Sequence, residues 1–183
     1  MKSITVKELM VPLAEYVRVG EDDTLHQCFQ AMEEDRKRKG LSGHAHRDAL
    51  VFGKDGKFLG KVTMLDVFMA LEPTYKRLMG EGKAEASLTS DYVAKLYKDY
   101  DLWTEPLENL CEQGAGLKVS DIMQTCDAKE FMDEGDDVGK ALHKFVMGVH
   151  QPIIVRNGED VTGVLRLGDV FEKVRELTLA CNM

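Results

Sequence analysis

What the chain lacks narrows it first. None of its 183 residues lie in an apolar run of about 18, the length a membrane-crossing helix needs, so no span is expected. The opening Met1-Lys2-Ser3-Ile4-Thr5-Val6-Lys7-Glu8 has no apolar centre of the kind a secretory signal requires. Cysteine is scattered: Cys28, Cys111, Cys126 and Cys181 form no Cys-x-x-Cys pair, which argues against a zinc ribbon or redox dithiol and fits reduced thiols in the cytoplasm. Positive charge is in deficit, with 24 Lys and Arg against 32 Asp and Glu, a net charge of −8. Nucleic-acid backbones are held by clustered cations, so a nucleic acid is not an expected partner. Nucleophile elbow, HExxH and P-loop are all missing, and enzymatic activity is not expected. His44-Ala45-His46 brings two imidazoles together without a third ligand close by, which reads as a surface loop and not as a metal site.

What the chain has is a repeat. Gly60-Lys61-Val62-Thr63-Met64-Leu65-Asp66 returns as Gly163-Val164-Leu165-Arg166-Leu167-Gly168-Asp169. Each copy follows a short apolar run and opens an apolar helix, with Val67, Phe68 and Leu71 in one and Val170, Phe171 and Val174 in the other. A strand-to-helix junction of this kind can hold a small anion, because free backbone N–H groups and the positive end of the helix dipole point outward there.

The neighbourhood repeats as well. Val6-Lys7-Glu8-Leu9-Met10 matches Val119-Ser120-Asp121-Ile122-Met123, and each leads to a β segment, Tyr16-Val17-Arg18-Val19 or Glu130-Phe131-Met132. The acidic pairs Asp22-Asp23 and Asp136-Asp137 are expected to cap the next helices. Those helices carry Leu25, Cys28, Phe29 and Met32 in the first copy. The second has Val138, Ala141, Leu142, Phe145, Val146 and Val149, again at the spacing of one buried face. Ala49–Phe52 and Phe58–Val62 then flank Asp55-Gly56, while Pro152–Val155 and Val161–Leu165 flank Asn157-Gly158, both strong hairpin signals.

The expected architecture is α/β, two β-α-β-β-α repeats packed sheet to sheet, with domains at 1–75 and 117–183 and a helical linker at 76–116. The first copy is ten residues longer between its Met and its motif Asp, and the basic run from Arg36 to Arg47 accounts for the excess. That run reads either as a solvated helix C-terminus or as a phosphate-reaching arm. In the linker, Tyr92, Val93, Leu96, Tyr97 and Tyr100 form an apolar stripe behind Thr89, and Trp103, Leu107, Leu110 and Cys111 form a second one.

Taken together, the Val-x-[Glu/Asp]-[Leu/Ile]-Met opening, the hairpin and the Gly-x-x-[Thr/Ser]-x-x-Asp junction, twice and in order, resemble a tandem cystathionine-β-synthase (CBS) domain pair, or Bateman module, from which the chain departs in having Arg166 where the second hydroxyl belongs and Ala49 where the second copy has Pro152. The resemblance covers residues 3–72 and 117–176 and implies a stand-alone regulatory member. It would bind an adenosine nucleotide (AMP, ADP, ATP or S-adenosylmethionine) in the inter-repeat cleft, signal to an unknown regulated protein, require no cofactor and form a homodimer. The alternative is a ligand-free structural or interaction module that keeps the fold.

By the same resemblance Asp66 and Asp169 grip a ribose, and an adenine lies against Tyr16 and Val17, or against Phe131 and Met132, near Ala49 or Pro152-Ile153. Each aspartate has a plainer reading. Thr63-x-x-Asp66 is also a capping box. Thr63 can meet a phosphate or only cap its helix, and Arg166 can fork onto a phosphate or pair with a neighbouring acid. Lys61, Arg18 and His150 are the remaining candidates for a polyphosphate.

Overall fold

The computed structural model describes residues 3–40, 46–80 and 89–181; His44, Ala45 and the rest of 41–45 lie outside them. In chain order the elements are α1 (Val6–Leu9), β1 (Val11–Pro12), β2 (Arg18–Gly20), α2 (Leu25–Lys39), β3 (Ala49–Phe52), β4 (Phe58–Val62), α3 (Met64–Leu71) and α4 (Thr74–Gly80). They continue with α5 (Ser90–Asp99), α6 (Leu107–Ala115), α7 (Val119–Ile122), β5 (Phe131–Asp133), α8 (Val138–Val146), β6 (Ile153–Asn157), β7 (Asp160–Leu165) and α9 (Leu167–Ala180). The fold is mixed α/β, and β2-α2-β3-β4-α3 recurs as β5-α8-β6-β7-α9.

The chain divides into two compact units that do not follow the repeats in a straight line. One combines residues 1–17 with 125–183; the other is 18–124. Each repeat has given its opening segment to the unit built on the other repeat.

In the first of these units the sheet order is β1-β7-β6-β5, with β5 parallel to β6 and the other pairs antiparallel. The opening helix is tied in through its backbone: Val6 N–H donates to Asp136 O at 2.8 Å and Lys7 N–H to Glu134 O at 3.0 Å. Strand alternation puts Met132, Ile153, Val155 and Leu165 on one face, where they join Val6, Val138, Ala141 and Val170 in a single core. Val11, Phe131, Ile154 and Val164 fall on the opposite face.

Gly163 sits opposite Pro12 at the β1 edge. A Cβ there would stand 2.6 Å from the Val11 carbonyl oxygen and 3.0 Å from Met10 Sδ. The motif glycine is therefore needed for the close approach of a neighbouring strand, whatever the junction binds. Gly163→Ala is expected to cost about 1–3 kcal/mol by overpacking, read as a lower urea midpoint. An unchanged midpoint would mean that β1 shifts without penalty.

The second unit has sheet order β2-β3-β4, with β2 parallel to β3. Here α7 takes the place of α1: Val119 N–H donates to Asp23 O at 2.7 Å and Ser120 N–H to Glu21 O at 3.1 Å. Gln124 then bridges Lys61 through reciprocal backbone bonds of 2.8 and 3.0 Å, where the other unit pairs Val11 with Val164.

Several local expectations are corrected. Thr24, not Asp22-Asp23, caps α2, in a reciprocal box with Gln27. Asp23 instead accepts from Gly20 N–H at 2.7 Å and closes the preceding turn. Asp22 pairs with Lys54 at 2.7 Å and Lys118 at 3.0 Å, and these two ammonium groups hold its carboxyl down at about 2. In the other repeat Asp137 does cap, accepting from Gly139 N–H at 2.6 Å. Tyr16 and Val17 precede β2 and are not part of it. Phe29 on α2 and Leu142 and Val146 on α8 are exposed, so the buried stripes are narrower than the spacing suggests.

In the linker, α5 buries no side chain fully and α6 buries only Gly114, which packs under Leu71. The anchor between them is Leu102, which is buried, with Asp101 and Trp103 on either side at positive φ (49° and 56°). Trp103 is held by its backbone N–H to the Glu72 carboxylate and its indole N–H to Tyr75 Oη, each at 3.1 Å.

Candidate functional site

At the first junction β4 ends on Val62, Thr63 is the N-cap of α3, and Asp66 is its third helical residue. Thr63 N–H and Thr63 Oγ1–H both donate to Asp66 Oδ2, at 2.8 and 2.7 Å. The return bond, Asp66 N–H to Thr63 Oγ1, is long at 3.5 Å. Asp66 is only 2% exposed, and among the described residues no hydrogen bond falls on its Oδ1. The capping box is thus present, and it uses one carboxylate oxygen.

Arg18, Leu50 and Lys61 share one cross-strand row. Arg18 is exposed, whereas Lys61, expected to reach a phosphate, has no exposed surface at all. The basic run closing α2 is engaged locally, Arg36 with Glu33 at 2.8 Å and Arg38 with Asp35 at 2.6 Å, before Gly40 turns the chain at φ 67°. Over Arg36–Lys39 that is the arrangement of a helix C-terminus, while residues 41–45 of the run lie outside the described residues.

The second junction is built differently. Arg166 takes the N-cap position of α9 without capping it, and its guanidinium forks onto Asp169. Arg166 Nε donates to Asp169 Oδ2 and Nη2 to Oδ1, both at 2.7 Å, with each side chain about one-fifth exposed. Val164, fully buried, occupies the place of Lys61.

The other candidates are spread out. Tyr16 and Val17 are buried, each 4% exposed, and lie in the unit that contains the second repeat. By the register of the repeat they correspond to Lys129 and Glu130, not to Phe131 and Met132. Met132 belongs to the core. Phe131 faces the other way and carries the Arg156 guanidinium 5.5 Å above its ring. Pro152 is buried next to Ile153, and His150 is half-buried.

Cys28 is fully buried, and desolvation first of all, then the Asp23 charge, pushes its thiol up to about 11, so it is no nucleophile. His46, expected on a surface loop, is 4% exposed and lies against Lys39, with Nε2 3.6 Å from the buried Asp35 carboxylate. Asp35 and His46 stand eleven residues apart across a helix end, and no periodicity marks that pairing.

Comparison with known proteins fits this architecture. Residues 6–73 match the family model described as CBS domain. No curated protein matches the chain. Among solved structures, CBSX2 in complex with AMP aligns over 95% of this chain and 98% of its own, at 15% identity and a TM-score of 0.58. A CBS domain-containing protein of unknown function from Bacillus anthracis aligns over 94% of both chains, at 15% identity and 0.60. The CBS domain of a membrane protein from Sphaerobacter thermophilus aligns over 94% and 88%, at 20% identity and 0.58. At these identities the likeness is one of fold. No helix among the described residues is long and apolar enough to cross a membrane. Residues 6–73 thus match a CBS domain, the β-α-β-β-α pattern of that stretch is built again in the second half, and the chain as a whole has the fold of the CBS-domain structures.

Proposed function

We propose that the protein is a cytoplasmic regulatory module, not an enzyme, that binds an adenosine nucleotide at the Thr63–Asp66 junction and reports its occupancy to a partner protein. AMP, ADP, ATP and S-adenosylmethionine are the candidates, and no cofactor is required. The observation that carries the reading is the Asp66 carboxylate, 2% exposed with Oδ1 unbonded among the described residues. A carboxylate has about four acceptor positions. The cap uses two on Oδ2, which leaves Oδ1 for ribose hydroxyls. The AMP complex of CBSX2 supports the choice of adenosine ligands.

Ligand binding acts as a signal only if one arrangement of the protein binds more tightly than another. Pairing of two chains is the proposed output, through the apolar side chains that α9 leaves exposed, Leu167, Phe171 and Val174.

The test is a thermal-shift panel of AMP, ADP, ATP, S-adenosylmethionine and GMP. A ligand at about 100 times its dissociation constant adds roughly 2.7 kcal/mol, so an adenine-selective rise in Tm is expected. A flat panel sinks the reading. It would favour a ligand-free interaction module instead, for which the observation is α5: Val93 and Tyr97 are each more than half exposed on a helix outside both repeats.

A further inference from the structure

The two junctions are copies in sequence but not in chemistry, and the difference lies in how each carboxylate is used. Asp66 spends Oδ2 on its cap and keeps Oδ1 unbonded among the described residues, at 2% exposure. Asp169 has both oxygens taken, one by Nε and one by Nη2 of Arg166, each at 2.7 Å. A planar guanidinium fork puts one charge-assisted donor on each carboxylate oxygen, so neither oxygen is left for a sugar hydroxyl, whereas Asp66 keeps one. Neutral hydroxyls do not displace that charge-assisted pair on equal terms.

Three further differences run the same way. The first copy has a hydroxyl, Thr63, at the helix start, where the second has Arg166 and no side-chain cap. The strand leading into the first carries Lys61, and that leading into the second carries Val164. Arg18 occupies the first position of β2, where β5 has Phe131 under the Arg156 guanidinium. The first junction keeps a hydroxyl at its helix start; at the second the cation in that place is bound to the carboxylate.

Building on the adenosine-nucleotide reading above, we infer that the chain binds one nucleotide, at the Asp66 junction, and that Arg166 closes the second junction by occupying Asp169. Arg166 is then the residue that sets stoichiometry. The second repeat serves as a fixed scaffold, so occupancy of one junction alone changes with nucleotide concentration.

Isothermal titration of the full chain with AMP, and separately with ATP, tests this. Wild type is expected to take up one equivalent, Asp169→Asn to take up the same one at unchanged affinity, and Asp66→Asn to lose it. Arg166→Thr, which gives the second junction the hydroxyl of the first and frees Asp169, is expected to raise uptake to two. Two equivalents in wild type would overturn the inference and leave nucleotide binding standing. So would one equivalent lost in Asp169→Asn but kept in Asp66→Asn, or an Arg166→Thr chain that binds nucleotide yet stays at one. No uptake of either nucleotide by wild type strikes the underlying reading instead, and the inference falls with it.

Discussion

Asp66→Ala is expected to weaken adenosine-nucleotide binding by about two to four orders of magnitude. The figure follows from two lost hydrogen bonds to a charged acceptor, each about 1.5–3 kcal/mol, at about 1.4 kcal/mol per tenfold change. The same substitution removes the acceptor for Thr63 N–H and Oγ1–H, both in a buried cap. A stability loss of about 1–2 kcal/mol should accompany it. A lost cap alone can blunt binding, so alanine does not separate the two roles.

Asparagine does. The amide oxygen of Asp66→Asn can take over from Oδ2 and keep both cap bonds, while the NH₂ group takes the place of Oδ1. The junction then presents a donor where a ribose hydroxyl needs an acceptor. Stability should stay within about 0.5 kcal/mol of wild type, while affinity falls nearly as far as in alanine. Urea unfolding alongside calorimetric titration measures both. Full affinity in the asparagine variant would reduce Asp66 to a helix cap.

Much of this arrangement can be read from the chain before any coordinates. The junctions, both hairpins and the β-α-β-β-α order follow from local patterns: Asp-Gly and Asn-Gly turns, short apolar strands, and a hydroxyl three residues ahead of a carboxylate. Even the misplaced cap of α2 had a local signal, since Thr24-x-x-Gln27 satisfies the capping-box rule and Asp22 and Asp23 do not. Other features had no local signal. The exchange of opening segments rests on backbone bonds such as Val6 to Asp136 and Val119 to Asp23, which join stretches far apart in the chain. Burial of Lys61 opposite Gln124, where the other unit pairs two valines, is likewise a property of long-range pairing. Amphipathic spacing marks an apolar face on α9 and on α5 but does not say whether the same chain covers it. Phe171 and Tyr97 remain exposed.

Asp35→Ala is the largest stability loss expected outside the cores, about 3 kcal/mol at neutral pH, because it strips a buried charge from its partners. The Asp35 side chain is 4% exposed and that of His46 1%. Arg38 Nη2 lies 2.6 Å from Oδ1, and Lys39 Nζ lies 3.0 Å from Oδ2. Lys39 also contacts His46 Nε2. Removing the carboxylate leaves a half-desolvated ammonium against a buried ring with no negative charge nearby to offset it. Arg38→Ala should cost under about 1 kcal/mol, since the Arg38 side chain is mostly in water.

The pH dependence fixes the cause. Burial on its own raises the Asp35 pKa, but the hydrogen bonds from Lys39 and Arg38, joined by the His46 and Lys39 charges, outweigh it and hold the carboxyl below its ordinary value. A carboxyl whose folded pKa lies below its unfolded one stabilises the protein above the unfolded value, about 3.9. That contribution disappears as pH falls through the folded value. The gap between wild type and Asp35→Ala in urea should therefore be full at pH 7 and narrow steadily below about pH 4. A gap of the same size at pH 3 would mean that Asp35 contributes packing and not charge. In that case the cluster at the end of α2 would be held by Lys39 and His46 alone.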